Sequence, residues 1–262
     1  MKFGMPTLVE CDNLLECAEV AKKFKMDFIE INMSFPQYTR EKLDIDATKK
    51  LAQDYSIFYT IHADEALNPF DFNKKVSDCH FEVMSDTIEV AKAIGARVIN
   101  LHLQKGIYVT LPGKVILLTD VYSDEYISNV KRFIAMCEEK IGDSDIVIAI
   151  ENVDSNAFTE SQLEAMTLFM SSRVFGLTLD TGHEMALNFV DAHVFEKYPD
   201  KLRHMHLHDC LGKKPHLALG DGDVDIDAKL SMLGENDTCL IEVKTIEGLG
   251  KSYDYLVNKG IM

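Results

Sequence analysis

The sequence has six cysteines but no Cys-x-x-Cys pair, the spacing that is typical of structural zinc sites and redox-active dithiols. Most of the cysteines fall in apolar stretches, so we expect reduced, buried thiols in a cytoplasmic protein. No apolar run approaches the roughly 18 residues that a membrane-spanning helix needs. The N-terminal stretch is broken by charges and lacks the apolar core of a signal peptide. The sequence therefore predicts a protein without a membrane segment.

Basic residues are also scarce. Lys and Arg together number 27 against 43 Asp and Glu, which gives a formal net charge of −16. No local cluster of basic residues offsets this charge. Proteins that bind nucleic acid neutralise its phosphates with Lys and Arg, and an acidic surface also repels anionic membranes. The charge therefore argues against nucleic acid and membranes as partners and favours a small molecule. It leaves self-association into a homo-oligomer open.

Three glycine-containing motifs of nucleotide-binding and hydrolytic enzymes are missing as well. The turn after the first predicted strand reads VECDNL and has no GxGxxG pattern. The chain also contains neither a Walker phosphate-binding sequence nor a GxSxG nucleophile motif. These absences argue against a dinucleotide-binding sheet, a P-loop nucleotidase and a serine hydrolase of the α/β type.

The chain instead shows one alternation from end to end. Short apolar, β-branched stretches occur at 3–9, 27–32, 57–62, 97–102, 145–152, 175–180, 202–208 and 239–244. Amphipathic helical patterns lie between them at 13–24, 82–96, 125–140 and 161–170. Thr159 precedes the last of these as the start of a helix. Eight strand–helix repeats predict an α/β fold, a (βα)8 TIM barrel with residues 1–262 as a single domain. A doubly wound open sheet, which usually has fewer strands, is the alternative.

The inward-facing rows of the predicted strands carry polar side chains. Alternate residues of a strand share a face, and the active sites of TIM barrels lie at the C-terminal ends of the strands. The last inward residues of seven strands are Asn32, His62, His102, Glu151, Asp180, His208 and Glu242. Glu30 and Asn100 lie two residues earlier in two of these rows, and strand 7 adds His204 and His206. The outward rows are aliphatic, as packing against helices requires.

This convergence of side chains predicts a metal site. Several carboxylates that meet at one barrel mouth repel one another unless they are protonated or bind a cation. A mixture of carboxylate and imidazole ligands suits zinc, manganese, cobalt or iron. No cysteine lies in these rows, which argues against a structural zinc held by thiolates.

The motifs ENV, LDTGH, MHLHD, GDGD and LIEV, in this order, resemble the xylose isomerase-like TIM-barrel superfamily. That superfamily contains sugar and sugar-phosphate isomerases and epimerases and is related to endonuclease IV, and the resemblance covers nearly the whole chain. In the isomerase branch it implies one divalent ion, Mn²⁺ or Zn²⁺, and two glutamates that move the substrate proton. The implied ligands of that ion are Glu151, Asp180, His206 and Glu242.

The endonuclease branch implies further zinc ions. The histidines that bind its second ion correspond to His62 and His102, and this ion shares Glu151 with the first. The ligands of its third ion are a histidine that corresponds to His183 and the two residues of an Asp-x-His pair. In this chain His216 occupies the histidine position of that pair, but Lys214 stands where the aspartate should be. The lysine puts the third ion in question, so the resemblance implies one or two ions per chain.

We expect an enzyme, specifically an isomerase or epimerase of a small sugar, a sugar phosphate or a related polyol or keto compound. Glu151 or Glu242 removes the proton next to the carbonyl and the other glutamate returns one, while His183 holds a substrate hydroxyl. The residues expected to bind the rest of the substrate are His208, Lys213, Lys214, His216, Glu30 and Asn100. The alternatives are a zinc phosphoesterase and a metal- or sugar-binding barrel without activity.

Overall fold

A computed structural model describes residues 1–153 and 157–262 of the chain. The strands are Lys2–Pro6 (β1), Phe28–Asn32 (β2), Phe58–His62 (β3), Val98–His102 (β4), Tyr108–Leu111 (β5), Lys114–Leu117 (β6), Val147–Glu151 (β7), Phe175–Asp180 (β8), Leu202–Leu207 (β9), Asp209–Leu211 (β10), Lys214–Leu217 (β11) and Thr238–Ile241 (β12). Eight of them pair in parallel and close into a barrel in the order β1-β12-β9-β8-β7-β4-β3-β2. The predicted TIM barrel is confirmed and the open-sheet alternative is wrong, because the first and last barrel strands pair with each other.

Helices alternate with the barrel strands. They are Leu14–Lys23 (α1), Ile45–Tyr55 (α2), Lys74–Ile94 (α3), Leu118–Val121 (α4), Ser123–Ile141 (α5), Glu160–Ser171 (α6), Thr181–Ala186 (α7), Ala192–Lys197 (α8), Ile226–Leu230 (α9) and Ile246–Asn258 (α10). The predicted helix entry at Thr159 is confirmed, because Thr159 caps the N-terminus of α6 and its side chain and that of Gln162 form a reciprocal capping box. Within the described residues, no helix is both long enough and apolar enough to span a membrane.

The two faces of the barrel strands differ in chemistry. The outward residues are aliphatic and fully buried against the helices, as Ile148 and Ile150 illustrate. At the N-terminal end of the barrel the inward side chains are aromatic, and Phe28 stacks on Phe58 with ring centroids 5.1 Å apart. Towards the C-terminal end the inward side chains are polar. Gly4 leaves room for the Phe28 ring, since a Cβ at Gly4 would lie 2.3 Å from it. The aromatic pair therefore closes the lower part of the barrel, and the polar rows lead to the C-terminal end.

Two antiparallel hairpins stand at the C-terminal end of the barrel. Hairpin β5–β6 follows β4, and hairpin β10–β11 follows β9. Asp209 anchors the segment after the second hairpin, because its carboxylate accepts the backbone N–H groups of Gly220 (2.9 Å) and Val224 (3.0 Å). The GDGD stretch, residues 220–223, is thus held against the start of hairpin β10–β11. The hairpin itself packs against α7.

Candidate metal centre and substrate pocket

Four side chains meet where β7, β8, β9 and β12 end. They are the predicted ligands Glu151, Asp180, His206 and Glu242, and their ligand atoms all lie within 4.8 Å of one another. The Nδ1 atom of His206 lies 3.0 Å from Oε1 of Glu151, 3.3 Å from Oε2 of Glu242 and 4.0 Å from Oδ2 of Asp180. One imidazole nitrogen therefore faces three carboxylates in a buried space.

The electrostatics of this group suit a cation. Burial raises the pKa of Glu151 and of Glu242, but the adjacent His206 outweighs it and holds both pKa values well below the usual range. Burial lowers the pKa of His206, but Glu151 and Glu30 raise it well above its ordinary value. The buried Oε2 atom of Glu242 has no hydrogen-bond partner among the described residues. Ionised buried oxygens with one nitrogen form a donor set that fits a divalent ion such as Mn²⁺ or Zn²⁺.

A second candidate ligand group adjoins the first through Glu151. The group consists of His62, His102 and Glu151, whose potential ligand atoms lie within 4.8 Å of one another. The Nε2 atoms of His102 and His62 lie 2.8 Å and 3.7 Å from Oε2 of Glu151. The Nδ1–H of His62 donates to the carbonyl oxygen of Ala63 (2.8 Å), which leaves its Nε2 free to face Glu151. Glu151 therefore directs one oxygen at each group and belongs to both.

A histidine cluster borders the four-residue group on the other side. Asp180 begins α7 and accepts the backbone N–H of His183 (2.7 Å). The Nδ1–H of His183 donates to the carbonyl oxygen of Asn152 (3.2 Å), so its Nε2 faces Nε2 of His216 at 3.4 Å. Burial lowers the pKa of His216 to about 3, which keeps this imidazole neutral. Lys214 pairs with Leu211 at the tip of hairpin β10–β11 and is exposed there.

Glu30 lies beneath the four-residue group, inside the barrel. Its Oε1 atom is 3.1 Å from Nε2 of His206, and its Oε2 atom is 3.1 Å from Nε2 of His204. Thr60 donates to the same carboxylate at 2.9 Å, and His204 reaches Thr238 with its Nδ1 at 2.6 Å. The histidines of β9 thus have different partners, although they share one face of the strand.

A pocket of about 320 Å³ opens above these groups. Its lining consists of His62, Glu65, His102, Leu103, Gln104, Lys105, Glu151, Val153, His183, His216, Glu242 and Lys244. Glu30 lines an adjoining pocket of about 300 Å³. Four other expected substrate ligands are not among the lining residues, namely the exposed Lys213 and Lys214 and the buried Asn100 and His208. The volume is at the small end of the range for ligand pockets, which suits a small polar molecule.

Several residues of the site were not expected from the sequence, and Lys244 and Asn152 have the most specific contacts among them. Lys244 places its Nζ 2.7 Å from Oε1 of Glu242, and although burial opposes it, this carboxylate raises the lysine pKa. Lys244 follows Glu242 by two positions, so extending the inward row by one residue would have found it. The side chain of Asn152 forms two 2.9 Å hydrogen bonds with the backbone of Asp180, donating to its carbonyl oxygen and accepting its N–H.

Comparisons with known proteins agree with this architecture. Residues 18–257 match the sequence model of a family described as xylose isomerase-like TIM barrel. An uncharacterised protein of Methanocaldococcus jannaschii is 26% identical over 265 aligned residues, which cover 98% of this chain and 95% of the relative. The crystal structure of a D-tagatose 3-epimerase-like protein is 25% identical, with a TM-score of 0.77 and full coverage of both chains. The crystal structure of the IolI protein with a bound zinc atom is 19% identical, with a TM-score of 0.76 and coverage of 98% and 97%.

Proposed function

The chain belongs to the family of xylose isomerase-like TIM barrels, and from that premise we propose a metal-dependent isomerase or epimerase of a small sugar or related keto compound. The observation that carries the proposal is the position of Glu151 and Glu242. Both are buried carboxylates that border one pocket, and both lie within 3.3 Å of His206 Nδ1. Two carboxylates on either side of a bound substrate are the groups that proton transfer between carbons needs.

A divalent ion held by Glu151, Asp180, His206 and Glu242, Mn²⁺ or Zn²⁺, would polarise the substrate carbonyl as a Lewis acid. The low pKa values of Glu151 and Glu242 leave both carboxylates ionised, so either is ready to accept the proton from the carbon next to the carbonyl. The other glutamate has to take up a proton from solvent before it can return one to the substrate. Return to the neighbouring carbon, with the hydroxyl proton moving to the former carbonyl oxygen, gives the aldose or ketose isomer, and return to the opposite face of the same carbon gives the epimer.

Two further pocket residues have roles in this proposal. His183 donates its Nδ1–H to the carbonyl oxygen of Asn152, so its Nε2 is an acceptor, which a substrate hydroxyl would share with or take over from His216. Lys244 holds Oε1 of Glu242 in place and favours its ionised form. The two side chains thus orient the substrate and one of the two glutamates.

The pocket also offers a place for an anionic end of the substrate. Lys105 follows β4 and Lys244 follows β12, which lie on opposite sides of the closed barrel. Lys105 forms no ion pair within the described part of the chain. A chain of charge −16 repels phosphate and carboxylate groups except where local cations attract them. We assign to Lys105 and Lys244 the role that the sequence suggested for Lys213 and Lys214.

The second group, His62, His102 and Glu151, favours one alternative, a zinc phosphoesterase. His62, His102 and Glu151 would hold a second ion beside the first, and such a pair would supply an activated water and positive charge for a leaving oxygen. Against it stands the acidic surface, which offers little charge for binding duplex DNA. We therefore expect no incision of duplex DNA at an abasic site, and efficient metal-dependent incision would favour the phosphoesterase.

Product analysis tests the proposal. The metal-loaded protein is incubated with a panel of ketoses and ketose phosphates, and each mixture is analysed for new isomers or epimers by NMR. We expect one substrate class to be interconverted, and a chelator to abolish the conversion. Tight binding of a sugar without any conversion would instead indicate a binding barrel without activity.

A further inference from the structure

Both ring nitrogens of the buried His208 are engaged. Nδ1 accepts the backbone N–H of His216 at 2.8 Å, and the carbonyl oxygen of Asp209 is farther away at 3.3 Å. Nε2 lies 2.9 Å from both carboxylate oxygens of Asp180. Because Nδ1 acts as an acceptor, the proton is on Nε2 and is donated to Asp180. The backbone of hairpin β10–β11 therefore selects the Nε2–H tautomer of His208, which donates to the candidate metal ligand Asp180.

The first turn of α7 is shaped around this ring. A Cβ at Gly182 would lie 2.1 Å from Cε1 and 2.3 Å from Nδ1 of His208, so only glycine fits there without a shift. The Thr181 hydroxyl donates to the carbonyl oxygen of His208 at 2.9 Å and accepts its N–H at 3.3 Å. The position of the imidazole is thus set by the segment that begins with Asp180.

The other end of the contact lies in the pocket wall. His216 has a left-handed backbone with φ of 59°, and its ring lines the pocket. Its Nδ1 atom is 3.8 Å from Oε2 of Glu242. The N–H that points at His208 therefore determines where hairpin β10–β11 places the His216 ring.

We propose that His208 is a positioning residue that couples hairpin β10–β11 to the metal centre. Its Nε2–H orients Asp180 for the ion, and its Nδ1 holds His216 at the pocket wall. The inference rests on the proposed function only in that Asp180 binds the ion. Since coupling of this kind is reciprocal, ion binding at Asp180 stabilises the hairpin, and an ordered hairpin strengthens ion binding.

Two amide substitutions at position 208 separate the contact with Asp180 from the contact with His216. An asparagine amide reaches about as far as Nδ1 of histidine, and a glutamine amide reaches about as far as Nε2. His208→Asn therefore keeps an acceptor for the N–H of His216 but loses the donor to Asp180. His208→Gln keeps the donor to Asp180 but loses the acceptor. We expect Zn²⁺ affinity to fall by about 10- to 100-fold in His208→Asn, which loses the donor to Asp180. In His208→Gln we expect a clearly smaller fall, because only the contribution of the ordered hairpin is lost.

The hairpin is followed by hydrogen exchange of residues 209–217, with Zn²⁺ affinity measured by chelator competition. We expect His208→Gln to exchange faster in this segment than His208→Asn. In the wild type, Zn²⁺ should slow exchange at 209–217 and leave hairpin β5–β6, at 108–117, unchanged. The exposed His193 provides the control, since His193→Asn should match the wild type in both measurements.

The outcomes that would overturn the inference are distinct. His208 would have no coupling role if both variants kept the Zn²⁺ affinity and the hydrogen exchange of the wild type. The same conclusion would follow if His208→Asn and His208→Gln changed the Zn²⁺ affinity and the exchange of residues 209–217 to the same extent. The wild-type exchange experiment decides the matter even where a variant fails to fold, because Zn²⁺ without effect on 209–217 also refutes the coupling. A wild-type chain that binds no divalent ion would overturn the proposed function together with this inference. Absence of turnover with every sugar would overturn the proposed function alone.

Discussion

The Nε2 atom of His206 lies 3.1 Å from Oε1 of Glu30, on the side of the ring opposite to the carboxylates that face Nδ1. The contact is one of charge, because Nε2 of His206 forms no hydrogen bond among the described residues. Glu30 is itself held by Thr60 and His204. We infer that the negative charge of Glu30 favours a proton on Nε2, the form of His206 that would present Nδ1 to an ion.

Glu30→Gln should weaken metal binding by about 10- to 100-fold, because it removes the negative charge beside Nε2 that favours a proton on this nitrogen of His206. Chelator competition with Zn²⁺ measures the effect, and thermal unfolding establishes that the variant is folded. Glu247→Gln makes the same chemical change at an exposed position that only pairs with Lys251, and it should bind like the wild type. Equal affinity in the two variants would show that Glu30 does not support His206.

His102→Ala tests whether one ion or two carry the chemistry. In the proposed isomerase, His102 lines the pocket, so the variant should keep the essential ion and mainly raise KM. In the phosphoesterase, the variant should lose one of about two ions and most of kcat. Metal content per chain and steady-state kinetics, measured on the same preparation, distinguish the two. A loss of one ion together with a collapse of kcat would contradict the one-ion proposal.

Metal binding should strengthen as the pH rises. Because its carboxylate neighbours raise the pKa of His206, this imidazole keeps its second proton up to a higher pH in the metal-free protein, and an ion bound at Nδ1 would have to displace that proton. The protonated imidazole also stabilises the metal-free fold, a contribution that is lost as the pH rises through the folded-state pKa. The increase in Tm on adding Mn²⁺ should therefore be larger at about pH 8.5 than at about pH 6. A constant or shrinking increase would disagree with this assignment.

Lys105→Gln should discriminate between charged and neutral substrates. Loss of one cation at the pocket should raise KM for a phosphorylated or carboxylated substrate by about tenfold, the usual effect of losing a hydrogen bond to a charged group. KM for a neutral sugar of the same size should change little. Lys213→Gln, at an exposed position next to the turn of hairpin β10–β11, is the matched control. An equal effect of Lys105→Gln on both substrates would remove the anion subsite.

The barrel and the convergence of the inward side chains were predictable because both follow from the alternation of side chains along strands. The choice of His206, rather than His208, as the fourth member of the group came from the resemblance to the xylose isomerase-like superfamily. The eight predicted segments each overlap a barrel strand, and the inward residues Glu151, Asp180 and Glu242 meet as expected. The distinct partners of His206 and His208 were not predictable. They depend on the height of each residue along the barrel axis and on the register between neighbouring strands, neither of which the alternation fixes.

Loop geometry was the least predictable part of the site. Lys214 and His216 are two residues apart on β11, but only His216 lines the pocket. Lys214 pairs with Leu211 beside the turn, and the left-handed backbone of His216 redirects its side chain. The hairpin register and a single positive φ angle decide this difference, and the sequence pattern specifies neither. Lys244, by contrast, lay within reach of the same alternation that identified Glu242.

Uptake of deuterium from solvent tests the central claim, proton transfer by two glutamates at a metal centre, most directly. The metal-loaded protein is incubated in D₂O with a ketose that it binds, and the carbon next to the carbonyl is followed by NMR. We predict uptake that requires the ion and that Glu151→Gln and Glu242→Gln each reduce by several orders of magnitude, since an amide cannot accept the proton. Glu247→Gln should exchange like the wild type. Undiminished uptake in both active-site variants, or no uptake from any sugar by a fully loaded wild type, would contradict the account.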